Sequence, residues 1–313
     1  MKRPFCTPGS VRPSPSTVDG RGQDCGDLSR RFMVGCGVAL VSAVTGAAHA
    51  TAGGAMPGEP RIVHPGTGAV GTNPVSSSRQ TAPSDAVVLF DGTTLDGWSR
   101  RFTASEGATE VAAWDIDSEA GSMTVRPGAG GVFSPHVTHG PVQVHLEFMT
   151  PTDDLGDTGQ GRGNSGVYLL GRYEIQVLDS FENETYPDGQ CAAIYGIRPP
   201  LVNACRPPGE WQQYDIIFHP PTYDTTNGRQ KKVGTVTVLH NGVLVHDRAE
   251  IPSPTVAAPL AAFIPGAALP GAPGDESEAS ASGSIELPML YLQDHGDRVS
   301  YRNIWVRELH QSP

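Results

Sequence analysis

Three short stretches carry polar groups at spacings that place them together on one side of an extended chain. In residues 172–179 (RYEIQVLD), alternation sends Glu174 and Gln176 one way and Tyr173, Ile175 and Val177 the other. A carboxylate and an amide amid bulky β-formers, just after Arg162-Gly163-Asn164-Ser165-Gly166, suit binding or proton transfer better than simple solvation. Asp179 falls with the apolar set unless a bulge turns it. In residues 291–296 (YLQDHG), Tyr291, Gln293 and His295 share a side. A histidine beside Asp294 at a strand end is equipped for acid–base work, its unperturbed pKa being about 6.5; the alternative is a satisfied structural histidine. In residues 142–148, Gln143, His145 and Glu147 lie opposite Val142, Val144, Leu146 and Phe148, either as a solvated outer face or as ligands.

The elements that must position these groups are strands. Short apolar or alternating runs at 87–90, 123–126, 142–148, 165–170, 173–178, 212–218, 234–240, 243–246, 287–293 and 301–307 are separated by Gly, Pro, Asn and Asp. No segment sustains a helical period over three turns. About ten strands in roughly 229 residues predict an all-β fold, a two-sheet antiparallel sandwich or jelly roll. Residues 234–240 and 243–245, joined by Asn241-Gly242, read as a hairpin with a two-residue type I′ turn. Residues 222–232 read as a surface loop. The acidic low-complexity run 265–284 reads as a disordered insertion.

The flanks concern compartment. Residues 32–48 are apolar and small, preceded by Arg30-Arg31 and followed by Ala48-His49-Ala50, which predicts a secretory signal over residues 1–50 cleaved after Ala50. Ser29-Arg30-Arg31-Phe32-Met33 also resembles a twin-arginine signal. Gly35, Gly37 and Gly46 make the run a poor membrane span, so no span is expected in the mature chain. Residues 51–84, rich in Gly, Pro, Ser and Thr, read as a flexible linker, leaving residues 85–313 as the working domain. The mature chain keeps two cysteines, Cys191 and Cys205, closing a 15-residue loop, and export predicts a disulfide between them. It also keeps 16 Lys/Arg against 30 Asp/Glu, a net charge of −14. Such acidity argues against nucleic acid and anionic membranes as partners.

Taken in order, LFDGTTLDGW (89–98), GNSGVY (163–168), RYEIQVLD (172–179), AIYG (193–196), PGEWQ (208–212), LQDHG (292–296) and YRNIWVR (301–307) resemble the 3-keto-disaccharide hydrolase domain, over essentially residues 87–309. The resemblance implies a concanavalin-like lectin or glucanase-type jelly roll with a carbohydrate groove. It also implies a substrate glycoside or disaccharide oxidised to a ketone at C3. That ketone acidifies the C2 hydrogen and places the C1 substituent β to the resulting carbanion. Cleavage then needs a base, a stabiliser for the enolate oxygen and an acid for the leaving group. On this reading Glu174 or His295 is the base and Asp294 orients His295. Arg162, Asn164, Gln176, Asp179 and Gln293 hold sugar oxygens, while Tyr168, Tyr195 or Trp211 stacks on a ring. A divalent metal is one route to enolate stabilisation, and His145 and Glu147 are its candidate ligands. Residues 174–179 are also similar to the Glu-x-Asp-x-x-Glu strand of retaining glucanases, whose carboxylates sit about 5–5.5 Å apart, but Gln176 and Asp179 depart from it. Two further readings are a non-catalytic carbohydrate-binding domain on the same fold and a tethered scaffold domain.

Overall fold

The computed structural model describes residues 61–62 and 82–309, apart from 104–106, 137, 139, 154–155, 225 and 266–285. The expected signal (1–50), most of the expected linker (51–84) and nearly all of the expected insertion (265–284) therefore lie outside the described residues. Of the linker, Arg61–Ile62 pair in parallel with Val202–Asn203.

Among the described residues there is no α-helix, and two large antiparallel sheets make up most of the fold. The strands are β1 (Val87–Phe90), β2 (Ser99–Thr103), β3 (Gly107–Val111), β4 (Asp115–Asp117), β5 (Ser122–Thr124), β6 (Val132–Phe133), β7 (Val142–Met149), β8 (Ser165–Leu169), β9 (Tyr173–Val177), β10 (Gln212–His219), β11 (Gly234–His240), β12 (Val243–Ile251), β13 (Leu290–Leu292) and β14 (Ser300–Glu308). The six-stranded sheet runs β9-β8-β13-β6-β2-β3. The eight-stranded sheet runs β12-β11-β10-β7-β14-β5-β4, with β1 also on β14. This is the two-sheet jelly-roll sandwich that the alternating runs predict. None of the described segments is a helix long and apolar enough to cross a membrane.

The core lies between the sheets. Val142, Val144, Leu146 and Phe148 of β7 and Tyr214, Ile216 and Phe218 of β10 face Val167 and Leu169 of β8 and Ile175 and Val177 of β9, all fully buried. Two tyrosines cross this core to the six-stranded sheet. The Tyr214 hydroxyl donates to Gln176 O at 2.6 Å, and the Tyr301 hydroxyl donates to Ser165 Oγ at 2.7 Å. Ser165 Oγ donates in turn to Gln293 O at 2.6 Å, fixing β8 against the end of β13. Asn241 and Gly242 both have positive φ, +52° and +78°, as a type I′ turn requires.

Two differences from expectation have clear causes. β2 (SRRFT) and β3 (GATEV) lack alternating apolar residues and pair through their backbones. The segment 222–232 is not a plain loop, because Thr222–Tyr223 pair with Gln230–Lys232. A third concerns the cysteines. Cys191 and Cys205 are buried free thiols, not a disulfide. They hydrogen-bond to one another. Cys191 Sγ also meets the Tyr214 hydroxyl at 3.1 Å, and Cys205 Sγ accepts Gln212 Nε2 at 3.4 Å. The thiols therefore have partners of their own, and the oxidising compartment on which the pairing depended was inferred from residues 1–50, outside the described residues.

Candidate active site

A cavity of about 180 Å³ opens on the face of the six-stranded sheet turned away from the core. Cross-strand register builds it. Glu174 stands opposite Tyr168, Gln176 opposite Gly166, and Tyr168 opposite Tyr291. The absence of a side chain at Gly166 is what seats the acid: a Cβ there would lie 2.5 Å from Glu174 Oε1 and 2.8 Å from Tyr168 Cε2.

β9 ends its sheet, yet the edge is covered. Its backbone pairs with residues 192–195, where Ala192 N–H donates to Gln176 O, Gln176 N–H to Ala193 O and Tyr195 N–H to Glu174 O. A paired edge keeps a buried strand from exposing unmet backbone groups. This pairing brings Tyr195 to the cavity. The Glu174 N–H donates to Thr255 Oγ1 at 3.0 Å, and Thr255 N–H donates to Arg172 O. The Arg172 guanidinium, almost fully buried, donates to Leu260 O and Ala261 O and so holds the following loop. That loop carries Val256 and Ala257 to the rim, Val256 being 91% exposed and Ala257 in the left-handed region at φ +63°.

Glu174 is 3% exposed and is the one carboxylate among the described residues that line the cavity. Burial drives its pKa up to about 7, opposed by the Tyr168 hydroxyl, which donates to it. Burial likewise raises the Tyr168 hydroxyl far above its usual range, so it remains a donor at neutral pH. Tyr168 accepts Gln293 Nε2 at 3.1 Å. A carboxylate poised near neutrality in a cavity is suited to general base or acid chemistry.

The structure gathers Asn164, Tyr168, Glu174, Gln176, Gln293 and His295 around this cavity. Other residues singled out from the sequence stand elsewhere. Asp294 does not orient His295; its carboxylate accepts the N–H groups of Gly130 and Gly296 and so shapes the turn. Arg162 donates to the fully buried Asp179 at 2.7 Å and to Phe181 O, an ion pair that braces the loop after β9. His145 and Glu147 lie on the far side of the eight-stranded sheet. His145 stacks on Trp305 and bonds Asp215 at 2.7 Å, while Glu147 pairs with Arg302 at 2.6 Å and accepts Asn303 Nδ2. Trp211 lies against the Arg302 guanidinium, 3.9 Å from its ring centre, and is no sugar platform. Among the described residues no three His, Cys, Asp or Glu converge as metal ligands.

Gln160, on the 3₁₀ turn Gly159–Gly161, escaped the sequence reading. Its backbone oxygen accepts Asn164 Nδ2 at 2.7 Å and its side chain accepts Gln176 Nε2 at 3.0 Å. A single residue on a short polar turn leaves no periodic signal. Tyr186, 44% exposed, meets the Tyr195 hydroxyl at 2.6 Å just outside the cavity.

Over residues 85–307 the chain matches the 3-keto-alpha-glucoside-1,2-lyase-like domain. A provisionally assigned glycosyl hydrolase of Parabacteroides distasonis ATCC 8503 is 38% identical and superposes with a TM-score of 0.57, covering 73% of this chain and 86% of its own. A second such protein from the same organism is 17% identical, with a TM-score of 0.44 over 72% of this chain and 94% of its own. No functionally curated protein matches the chain.

Proposed function

Because the chain belongs to the 3-keto-alpha-glucoside-1,2-lyase-like domain family, we propose that this carbohydrate-active, glycosyl hydrolase-like protein cleaves 3-keto-glycosides or 3-keto-disaccharides. The observation that carries the reading is the buried carboxylate of Glu174 on the cavity wall.

Direct hydrolysis by the two-carboxylate routes needs a second acid across the scissile bond. Asp179, the sequence candidate for it, is fully buried and bound to Arg162. Elimination needs one base. Glu174 takes the C2 proton, and the electron pair enters the C2–C3 bond as the C3 carbonyl becomes an enolate. As that carbonyl re-forms, the C1–C2 double bond forms and the C1–O bond breaks. The leaving oxygen takes a proton, for which exposed His295 at the cavity mouth is the donor. Water then adds across the C1–C2 bond. The Tyr195 hydroxyl and the Asn164 amide supply donors for the enolate oxygen.

The expected export of the chain completes the proposal, since it brings the site to oxidised sugars outside the cytoplasm. Purified protein incubated with 3-keto-trehalose or an aryl 3-keto-glucoside tests it. Glu174→Gln is expected to lower kcat by about 10²–10⁴-fold, and His295→Ala to slow leaving-group departure. Turnover unchanged in both variants would remove these assignments.

A further inference from the structure

Each side-chain amide around Glu174 has only one way to face. Gly189 O accepts and cannot donate, so the Gln160 atom 2.8 Å from it is the NH2 group, which also donates to Thr185 Oγ1 at 2.8 Å. Gln160 therefore turns its amide oxygen the other way, where Gln176 lies. An amide oxygen only accepts, so the Gln176 atom 3.0 Å away is its NH2 group. The Gln176 oxygen is left on the side away from Gln160. It is buried, has no hydrogen-bond partner among the described residues, and belongs to a residue of the cavity wall. Tyr168 imposes the same logic on Gln293. The Gln293 NH2 group donates to the Tyr168 hydroxyl at 3.1 Å, and the Gln293 oxygen is likewise buried with no partner among the described residues. An amide oxygen sealed in a wall without a donor is costly, and a sugar hydroxyl that displaces the covering wall atoms as it binds relieves that cost.

We propose that Gln160 is a positioning residue, which locks the Gln176 amide with its oxygen as a fixed acceptor for a hydroxyl of the bound sugar. This rests on the reading of the cavity as the glycoside site. The lock selects at that point a substrate group that donates a hydrogen bond. The ketone oxygen cannot fill this role, and a retained ring hydroxyl can.

The test has two arms, one of which needs no substrate. In the free protein, side-chain 15N–1H spectra should show Gln176 NH2 protons that exchange slowly with solvent. Gln160→Met, which keeps length and removes both polar atoms, should make them exchange fast; unchanged protection overturns the lock. Gln160→Asn, with its amide drawn back one methylene, substitutes if the Met variant does not fold. In the kinetic arm, Gln160→Met should raise KM about three- to tenfold with kcat nearly unchanged. The same change made on Gln176→Met should have no further effect, because the first acts through the second. Additive effects would overturn the relay. Absence of any wild-type turnover of 3-keto-glycosides would count against the proposed reaction alone, while the exchange arm still decides the lock.

Discussion

Replacing Tyr168 by Phe removes one hydroxyl from two hydrogen bonds and leaves the ring in place. The hydroxyl donates to Glu174 and accepts Gln293 Nε2 at 3.1 Å. Burial raises the Glu174 pKa to about 7, and the Tyr168 hydroxyl is what holds it from rising further. A hydrogen bond to a charged group is worth about 1.5–3 kcal/mol, and part of that is retained by the neutral acid, so the Glu174 pKa should climb by about one unit. Glu174 is about half ionised at pH 7 in the wild type. A one-unit rise leaves about a tenth ionised, a loss of roughly fivefold in kcat/KM at pH 7. At pH 9 both proteins carry ionised Glu174, so the variant should match the wild type there. The assay is kcat/KM for a 3-keto-glucoside from pH 5 to 9. A basic-form limb that stays at its wild-type position, or a loss that persists undiminished at pH 9, would refute the coupling of Tyr168 to Glu174.

Other consequences follow from neighbouring contacts. Gly166→Ala puts a methyl group 2.5 Å from Glu174 Oε1, so the carboxylate must shift; activity should fall on the order of 100-fold while the protein stays folded by circular dichroism. Arg162→Met removes the ion-pair partner of the fully buried Asp179, whose carboxylate keeps the Phe181 N–H, and should cost about 3–5 kcal/mol in urea denaturation. Burial lowers the pKa of His240 to about 3 and of His246 to about 4, both below the unfolded value of about 6.5. The unfolded chain therefore binds more protons as pH falls below 6.5. Stability should be intact above that pH and decline towards pH 4 by up to about 1.4 kcal/mol per unit for each histidine; a flat profile would contradict their neutral burial. Cys191 and Cys205 should both react with a thiol reagent, and only after denaturation.

Much of this site can be read from alternation. Glu174 and Gln176 share a face because a strand has period two, and Gln293 and His295 reach the same cavity for the same reason. Asn241-Gly242 announces its turn by residue type. What alternation does not reach is contact between strangers in sequence. Tyr195 arrives because residues 192–195 cover the edge of β9, and Val256 because Arg172 pins a loop over 80 residues downstream. Gln160 acts through hydrogen bonds from a three-residue turn. Pattern also misleads where two faces look alike: His145 and Glu147 alternate as Glu174 and Gln176 do, yet their strand belongs to the other sheet, where partners satisfy them. The roles expected for Arg162 and Asp179 fail for a related reason, since opposite charges close enough to bind a sugar are also close enough to bind each other.

The central claim is that bond cleavage begins with removal of the C2 proton by Glu174. It is tested most directly with a 3-keto-glucoside carrying deuterium at C2, followed by mass spectrometry of the released keto-sugar. The account predicts that the label passes to solvent in step with cleavage of the glycosidic bond, and that Glu174→Gln suppresses both together. Release of a keto-sugar that keeps its C2 deuterium would contradict it.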